Sequence, residues 1–283
     1  MCEIGTKFAN IQYYNKEMQK GMEDKLFFLD KLPTGKTYTF VDFGCADGAM
    51  INALTHILGI KHLYIGYDIS DTMINLARTN YNGPVDAEVQ FTTNWEDVKE
   101  MMKDGNSHRD NTVLILSSVI HEVYSYGTDE SVKEFWDNVL NSGFDYVVIR
   151  DMCPSADIET LASQKNIDKI NYTIGSTKQV IEFCRTWGSL SSQKNLVHFL
   201  LKYRWKVNWK REVKENYFPI TVEELLHKFL TGKNTFNIDY FERFRVPFLD
   251  KCIKEDFDIE LEDYTHIKAI FTKKFKTQID LHK

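Results

Sequence analysis

The chain has 283 residues, a formal net charge of -6 and an aromatic content of 13%. This length suits one large α/β domain with an added element, or two small domains. The negative charge argues against a broad nucleic-acid surface, although it does not exclude a local basic patch.

Cysteine usage and hydropathy indicate the cellular compartment. The five cysteines show no C-x-x-C spacing, which favours a reducing compartment and predicts that no zinc or other metal site is present. No apolar run reaches the roughly 18 residues that a membrane span needs, and the first residues do not form a signal peptide. We therefore expect a cytoplasmic protein without a membrane partner.

The first segment of the chain has helical character. Apolar residues recur at helical spacing over residues 8–32, ending with Met22, Leu26, Leu29 and Leu32, and Pro33 and Gly35 then stop the pattern. The sequence predicts helices within residues 1–34.

The most informative stretch is residues 40–48. An apolar run over residues 38–43 predicts a buried strand, and Gly44, Ala46 and Gly48 follow it before a helical pattern resumes at Met50. Small residues at such a turn allow backbone amides to approach a ligand, and the N-terminus of the following helix favours negative charge. The turn therefore suits a nucleotide-like ligand.

Two acidic residues narrow the choice of ligand. A dinucleotide fingerprint requires G-x-G-x-x-G, whereas the small residues here alternate, and Asp42 lies two residues before the first glycine. A second apolar strand over residues 62–67 ends at Asp68, near the usual spacing of about 20 residues for a ribose-binding acid. A carboxylate at that point can accept hydrogen bonds from both ribose hydroxyls.

This arrangement resembles motif I and the following acidic strand end of the class I S-adenosylmethionine (SAM)-dependent methyltransferases. The resemblance implies an α/β fold with a doubly wound seven-stranded sheet in the order 3-2-1-4-5-7-6 and a helical insertion between strands 5 and 6. It also implies SAM as cofactor and N-terminal helices that cover it, with Tyr13 and Tyr14 near the ligand. The implied cofactor-binding residues are Asp42, Gly44, Cys45, Ala46, Asp47, Gly48, Asp68, Ile69, Met73, Asn94, Trp95 and Ser117.

The middle of the chain continues the alternation of strands and helices. Ser70 or Asp71 and Thr128 are predicted helix caps, and strands are predicted at residues 88–92, 112–116 and 146–149. Asn94 and Trp95 lie where this fold recognises adenine, but a tryptophan that opens a helix can equally belong to the core. Residues 117–127, just after the fourth strand, are expected to line the place where methyl donor and acceptor meet.

His121 is the candidate base at that place. The pair His121-Glu122 resembles the histidine-aspartate pair of small-molecule O-methyltransferases, in which the histidine deprotonates the acceptor hydroxyl. Val123 replaces the tryptophan that follows that pair, so the resemblance is partial. The ordinary pKa of a histidine, near 6.5, suits a general base. Glu122 and Asp151 complete the predicted catalytic set.

Residues 153–218 interrupt the alternation and are interpreted as an insertion that shapes acceptor choice. Its second half, residues 194–217, is predicted to be a helix with basic residues between aromatic ones, as in Lys202, Trp205, Trp209 and Arg211. Such a pattern can bind single-stranded nucleic acid, although a charge run is more often a solvated face.

The last part, residues 219–283, is predicted to complete the core that begins with residues 35–152. Thr221 and Glu224 form a capping box, and residues 236–248 and 266–273 are predicted as two closing strands.

The leading hypothesis is O-methylation of a small or medium-sized acceptor, and the absence of an N-P-P-Y-type sequence after strand four disfavours methylation of base amines. One alternative is an RNA or nucleotide acceptor bound by residues 194–217, and another is a SAM-binding module without turnover. The oligomeric state stays open.

Overall fold

The computed structural model describes residues 21–103, 111–231 and 234–274. Seven strands form one sheet in the order β3-β2-β1-β4-β5-β7-β6, which confirms the predicted order. The strands are β1 Tyr38–Phe43, β2 Leu63–Tyr67, β3 Glu88–Thr92, β4 Asn111–Ser117, β5 Tyr146–Met152, β6 Phe236–Phe244 and β7 His266–Lys273. Strands β1 to β5 pair in parallel, and β7 pairs antiparallel with β5 and β6.

The helices alternate with the parallel strands and then accumulate between β5 and β6. They are α1 Met22–Lys25, α2 Ala49–Leu58, α3 Asp71–Asn80, α4 Trp95–Lys103, α5 Ile120–Tyr126, α6 Asp129–Asn141, α7 Gln164–Ile174, α8 Lys178–Trp187, α9 Gln193–Tyr203, α10 Trp209–Glu212, α11 Val222–Thr231 and α12 Pro247–Phe257. The predicted caps are confirmed: Ser70, Thr128 and Thr221 each accept a backbone N–H three residues further on. Within the described ranges, no helix combines the length and apolarity needed to cross a membrane.

Each face of the sheet is covered by its own apolar layer. On one face, α4, α6 and α11 contribute Val98, Phe135 and Phe229 to a core with alternate residues of the strands. On the other face, α2, α3 and the segment after α1 cover Phe40, Ile115 and Val148, among others. Because side chains alternate along a strand, neighbouring residues at each strand end belong to different faces.

The segment between β5 and β6 is helical, as the predicted insertion requires, and has a core of its own. Residues of α7, α8 and α9 pack together around Phe183 and Phe199. Helix α12, which lies between β6 and β7, adds Ile253 and Phe257 to the same cluster. Residues on both sides of position 218 therefore build the core of the insertion.

Two element predictions at the C-terminal side were wrong. The predicted strand over residues 236–248 ends at Phe244, because Pro247 opens α12 at its first position, where a missing N–H costs nothing. The predicted continuous helix of residues 194–217 ends at Tyr203. The chain there folds back so that the ammonium of Lys202 donates to the backbone carbonyls of Glu212 and Glu215.

The first described helix also ends earlier than the apolar spacing predicts. Within the described residues, α1 ends at Lys25, and residues 26–32 form hydrogen-bonded turns. Phe28 is nonetheless fully buried, with its ring centroid 6.3 Å from that of Phe40 on β1. Tyr13, Tyr14 and the rest of residues 1–20 lie outside the described residues.

Candidate functional site

The glycine turn connects β1 to α2 with an unusual backbone. Gly44, Ala46 and Gly48 all have positive φ angles of 78°, 46° and 80°. The amides of Gly44 and Cys45 both donate to the carbonyl of Tyr67 at the end of β2. Gly44, Ala46 and Asp47 remain partly exposed, so the turn is accessible at the carboxyl end of the sheet.

Asp68 ties this turn to the end of β2. Its Oδ2 accepts the amide of Ala46 at 3.0 Å, and its Oδ1 accepts the amide of Ser70 at 2.9 Å. Burial raises the pKa of this carboxyl, while the two amides act in the opposite direction. Each oxygen accepts from one amide and keeps a lone pair for a further donor, so the carboxylate can bind two hydroxyl groups of a ligand.

The turn also packs against the start of α5. A Cβ added to Gly44 would lie 2.7 Å from Cγ2 of Val119. We expect Gly44→Ala to destabilise the fold by about 1–3 kcal/mol beyond the cost of the positive φ, because the tight contact must open. Urea unfolding measures this difference.

Gly35→Ala is the matched control for this variant. Gly35 has a similar φ of 73°, but an added Cβ would meet no atom within 4 Å. Equal losses of stability in the two variants would show that backbone strain alone matters and that the contact with Val119 does not.

The other predicted cofactor-binding residues take different positions around the turn. Ile69 is 58% exposed directly after Asp68, whereas Cys45 and Met73 are buried. Asn94 lies at the start of α4, where its side chain hydrogen-bonds Asp97. Trp95 packs edge-on against the rings of Phe43 and Tyr67 and is only 7% exposed. This packing favours the core role that the sequence left open for Trp95.

Two polar side chains at the strand ends have unused hydrogen-bonding capacity. Asp42 at the end of β1 is 4% exposed, and its carboxylate makes no hydrogen bond within the described ranges. Burial, opposed by the charge of Lys25, raises its pKa to about 7. The hydroxyl of Ser117 at the end of β4 is buried and likewise has no hydrogen-bond partner among the described residues. Buried polar groups are normally satisfied, so both are candidates to bind a polar ligand.

His121 and Asp151 form a buried pair at the ends of β4 and β5. Nδ1 of His121 lies 2.8 Å from Oδ1 of Asp151. The other oxygen of Asp151 accepts the amides of Val119 and Ile120, and so caps the first turn of α5. Because a carboxylate only accepts, Nδ1 carries a proton, and the neutral ring presents the lone pair of Nε2.

The charge of Asp151 changes the pKa of His121. Burial by itself lowers the pKa of His121, but the adjacent carboxylate outweighs it and raises the pKa above 6.5. The carboxylates of Glu122 and Glu215 act in the same direction. The ring edge of His121 meets Tyr217 of the insertion, with centroids 5.7 Å apart. The imidazole is therefore fixed from the sheet and from the insertion.

Glu122 lies in an ion-pair network that joins the insertion to α5. Arg211 donates to Glu122 at 2.7 Å and to Glu215 at 2.6 Å, and Tyr126 donates to the same oxygen of Glu215. Burial raises the pKa of Glu122, while Arg211 acts against this change. Sequence reasoning treated Arg211 as part of a basic face and missed this role, because nothing in the local pattern indicates a partner 89 residues away.

The network also changes the interpretation of the basic and aromatic residues at 194–217. Lys202 and Trp209 are buried, with Trp209 donating to Glu182, and Arg211 is held between two carboxylates. These three therefore do not form a solvent face for nucleic acid. The exposed cations of this stretch are Arg204, Lys206, Lys210 and Lys214.

Removing the central cation should loosen the insertion. We expect Arg211→Met to lower the free energy of unfolding by about 3–5 kcal/mol, because two largely buried carboxylates lose their partner. Lys210→Met, which changes an exposed neighbouring cation, should have little effect. Urea unfolding of both variants checks this, and equal stabilities would show that Arg211 is not needed to hold the insertion on α5.

Comparisons with known proteins provide only distant likenesses. No family model matches the chain. No curated protein matches it either. Similar solved structures include a plantazolicin methyltransferase in complex with SAH, with 12% identity, a TM-score of 0.44 and coverage of 93% of this chain and 88% of that chain. A cyclopropane synthase from Mycobacterium tuberculosis has 11% identity, a TM-score of 0.49 and coverage of 89% and 84%. A small RNA methyltransferase has 14% identity, a TM-score of 0.48 and coverage of 91% and 26%.

The order and direction of the strands define the class of fold, independently of these similar structures. Five parallel strands, a reversed β7 between β5 and β6, and the order 3-2-1-4-5-7-6 are those of the class I SAM-dependent methyltransferases. The glycine turn, Asp68 and the His121–Asp151 pair all lie at carboxyl ends of the parallel strands. Ligands of open α/β sheets bind at that edge.

Proposed function

We propose that this protein is a SAM-dependent methyltransferase that methylates a hydroxyl oxygen on a small or medium-sized acceptor, with His121 as the base. The observation that carries the proposal is the grouping of three features at one edge of the sheet. They are an accessible turn, an acid whose two oxygens each accept one amide, and a buried histidine whose Nε2 makes no hydrogen bond among the described residues. Binding and proton transfer could both take place there.

The residues at this edge fit an adenosyl sulfonium ligand. Asp68 would accept hydrogen bonds from the ribose hydroxyls, and the exposed side chain of Ile69 offers an apolar surface for the adenine. Asp42 and the hydroxyl of Ser117 supply polar groups that have no hydrogen-bond partner in the part of the chain that the structure describes. Positive φ angles at Gly44 and Ala46 keep side chains away from the ligand side of the turn.

Bound SAM would supply an electrophilic methyl group. The protein then has to hold an acceptor in line with it and remove the hydroxyl proton. Nε2 of His121 would take that proton, and Asp151 would stabilise the imidazolium that forms. Asp151 also holds the ring through the capped turn of α5, so it acts as a positioning residue for His121. The place of Tyr217 against His121 supports an acceptor whose size is limited by the insertion.

Calorimetry with SAM and its demethylated product S-adenosylhomocysteine (SAH) tests the cofactor. Release of SAH over a panel of phenols, catechols and alcohols then tests the reaction. We expect binding of both ligands and turnover of a neutral hydroxyl acceptor. Binding without turnover on any acceptor, RNA included, would favour a SAM-binding module, and turnover of RNA alone would overturn the small-acceptor proposal.

A further inference from the structure

The aromatic ring that contacts His121 belongs to the insertion. Tyr217 lies just before the end of the insertion, and its ring stands at 79° to the imidazole, with centroids 5.7 Å apart. Both side chains are buried, so the two rings meet inside the protein. Asp151, on the sheet, holds Nδ1 of the imidazole by one hydrogen bond. Tyr217 therefore gives the imidazole a second contact, which does not depend on the sheet.

Three groups of the insertion fix the ring of Tyr217. The ammonium of Lys202 lies over the face of the ring, 3.6 Å from its centroid, where a cation is attracted to the π-electrons. The phenolic hydroxyl donates to the carboxylate of Glu212. The backbone amide of Tyr217 donates to Nε2 of His198 at 3.3 Å. The ring is thus held at its face, at its hydroxyl and at its backbone.

Lys202 is itself fixed by the fold of the insertion. It is fully buried, and its ammonium donates to the backbone carbonyls of Glu212 and Glu215. A buried ammonium is tolerated only where hydrogen bonds replace its water. Because Lys202 belongs to α9 and both carbonyls lie at or after the end of α10, these bonds close the chain reversal that brings Tyr217 to His121. The same lysine holds the reversal and the ring.

We propose that Tyr217 is a positioning residue for His121: its ring, fixed by Lys202 and Glu212, restricts rotation of the imidazole and keeps Nε2 directed at the acceptor. This inference rests on the proposed function. An imidazole held by one hydrogen bond can still turn about that bond, and a ring packed against it removes this freedom. A base displaced by about 1 Å can lose about 100-fold in rate. The insertion therefore contributes to proton transfer as well as to acceptor size.

Replacing the ring tests this role. We expect Tyr217→Leu to lower kcat about 10- to 100-fold, with the KM for the acceptor and the SAH affinity nearly unchanged, because the base is present but misplaced. The proton on Nδ1 of His121, observed by NMR, should broaden or exchange faster with water, because the imidazole moves. Tyr217→Phe keeps the ring and should recover most of the rate and of this signal.

Tyr203→Leu is the matched control. Tyr203 belongs to the same insertion and also has a lysine over its ring, with Nζ of Lys206 3.9 Å from the centroid, but its ring packs on Phe257 of α12. This variant should keep the wild-type rate and the Nδ1 signal. Lys202→Met removes the ammonium from the face of Tyr217 and leaves the ring in the sequence. It should lower kcat and weaken the Nδ1 signal in the same direction as Tyr217→Leu.

The outcomes separate this inference from the proposed function. Wild-type kcat and a wild-type Nδ1 signal in Tyr217→Leu would overturn it. A raised KM with an unchanged kcat would overturn it too, since Tyr217 would then be a contact of the acceptor. Equal losses in Tyr203→Leu would reduce both tyrosines to a structural role and overturn it as well.

Two further outcomes have a defined reading. If Tyr217→Leu no longer bound SAH, the variant would be misfolded, and Lys202→Met would decide by the same criteria. The Nδ1 signal is recorded without acceptor. Its selective loss in Tyr217→Leu would therefore support the positioning of His121 even if the wild-type protein methylated no hydroxyl, and only the proposed reaction would then be refuted.

Discussion

Asp68→Ala should reduce the affinity for SAM and SAH by at least about 100-fold, because two charge-assisted hydrogen bonds to the ribose would be lost at about 1.5–3 kcal/mol each. The loss should be as large for 5′-methylthioadenosine, which shares the ribose with SAM and SAH but lacks the amino-acid group. Calorimetry with the three ligands measures it. A variant that bound SAH like the wild type would remove Asp68 from the ligand site.

The control for this prediction is Asp71→Asn. Asp71 is an exposed acid at the start of α3, three residues beyond Asp68. The Asp71→Asn variant should leave ligand affinity unchanged. Because Asp68 also accepts the amides of Ala46 and Ser70, unfolding of both variants should be compared, and a similar stability would assign the lost affinity to the ribose contacts.

His121→Asn should lower turnover by about 10²- to 10⁴-fold, the range typical of a lost general base, and leave SAH affinity nearly unchanged. Asparagine keeps a nitrogen donor for Asp151 but removes Nε2. The measurement is initial-rate release of SAH with an acceptor from the hydroxyl panel. His56→Asn, which alters an exposed histidine next to Asn82, should be fully active.

The pH dependence provides an independent check on His121. The base must be neutral, and Asp151 raises the pKa of the imidazole, so activity should rise with pH through a value above 6.5. The same pairing stabilises the fold most below the unfolded pKa of the histidine, and that contribution fades as pH rises through the folded pKa. NMR titration of the His121 ring gives the folded pKa directly. A ring that titrates below 6.5, or an active His121→Asn variant, would exclude this role.

Several features of the site could be predicted because they depend on short stretches. Strand β1, its alternating small residues and Asp68 at the tip of β2 lie within one strand-turn-helix-strand unit, where residue spacing nearly fixes geometry. The helix caps at Ser70, Thr128 and Thr221 are equally local. The sheet order followed from the family resemblance that these residues carry.

Other predictions failed where contacts between residues distant in the sequence override the local pattern. The apolar and basic pattern of residues 194–217 continues past Tyr203, but the helix ends there. The chain folds back, and the ammonium of Lys202 donates to the carbonyls of Glu212 and Glu215. Tryptophan at position 95 fits an adenine site or a core equally well by sequence, and the rings of Phe43 and Tyr67 favour the core.

The sequence by itself determined the turn, the acid at the end of β2 and the place of His121 after β4, because neighbouring residues on regular elements have few geometries available. Only the tertiary structure decided that His121 pairs with Asp151, 30 residues away, that Arg211 joins Glu122 to the insertion, and that Asp24 pairs with Arg150 at the end of β5. These pairings depend on how helices pack on the sheet. The whole apolar core determines this packing, so the partner of a charged residue can be identified only in the folded structure.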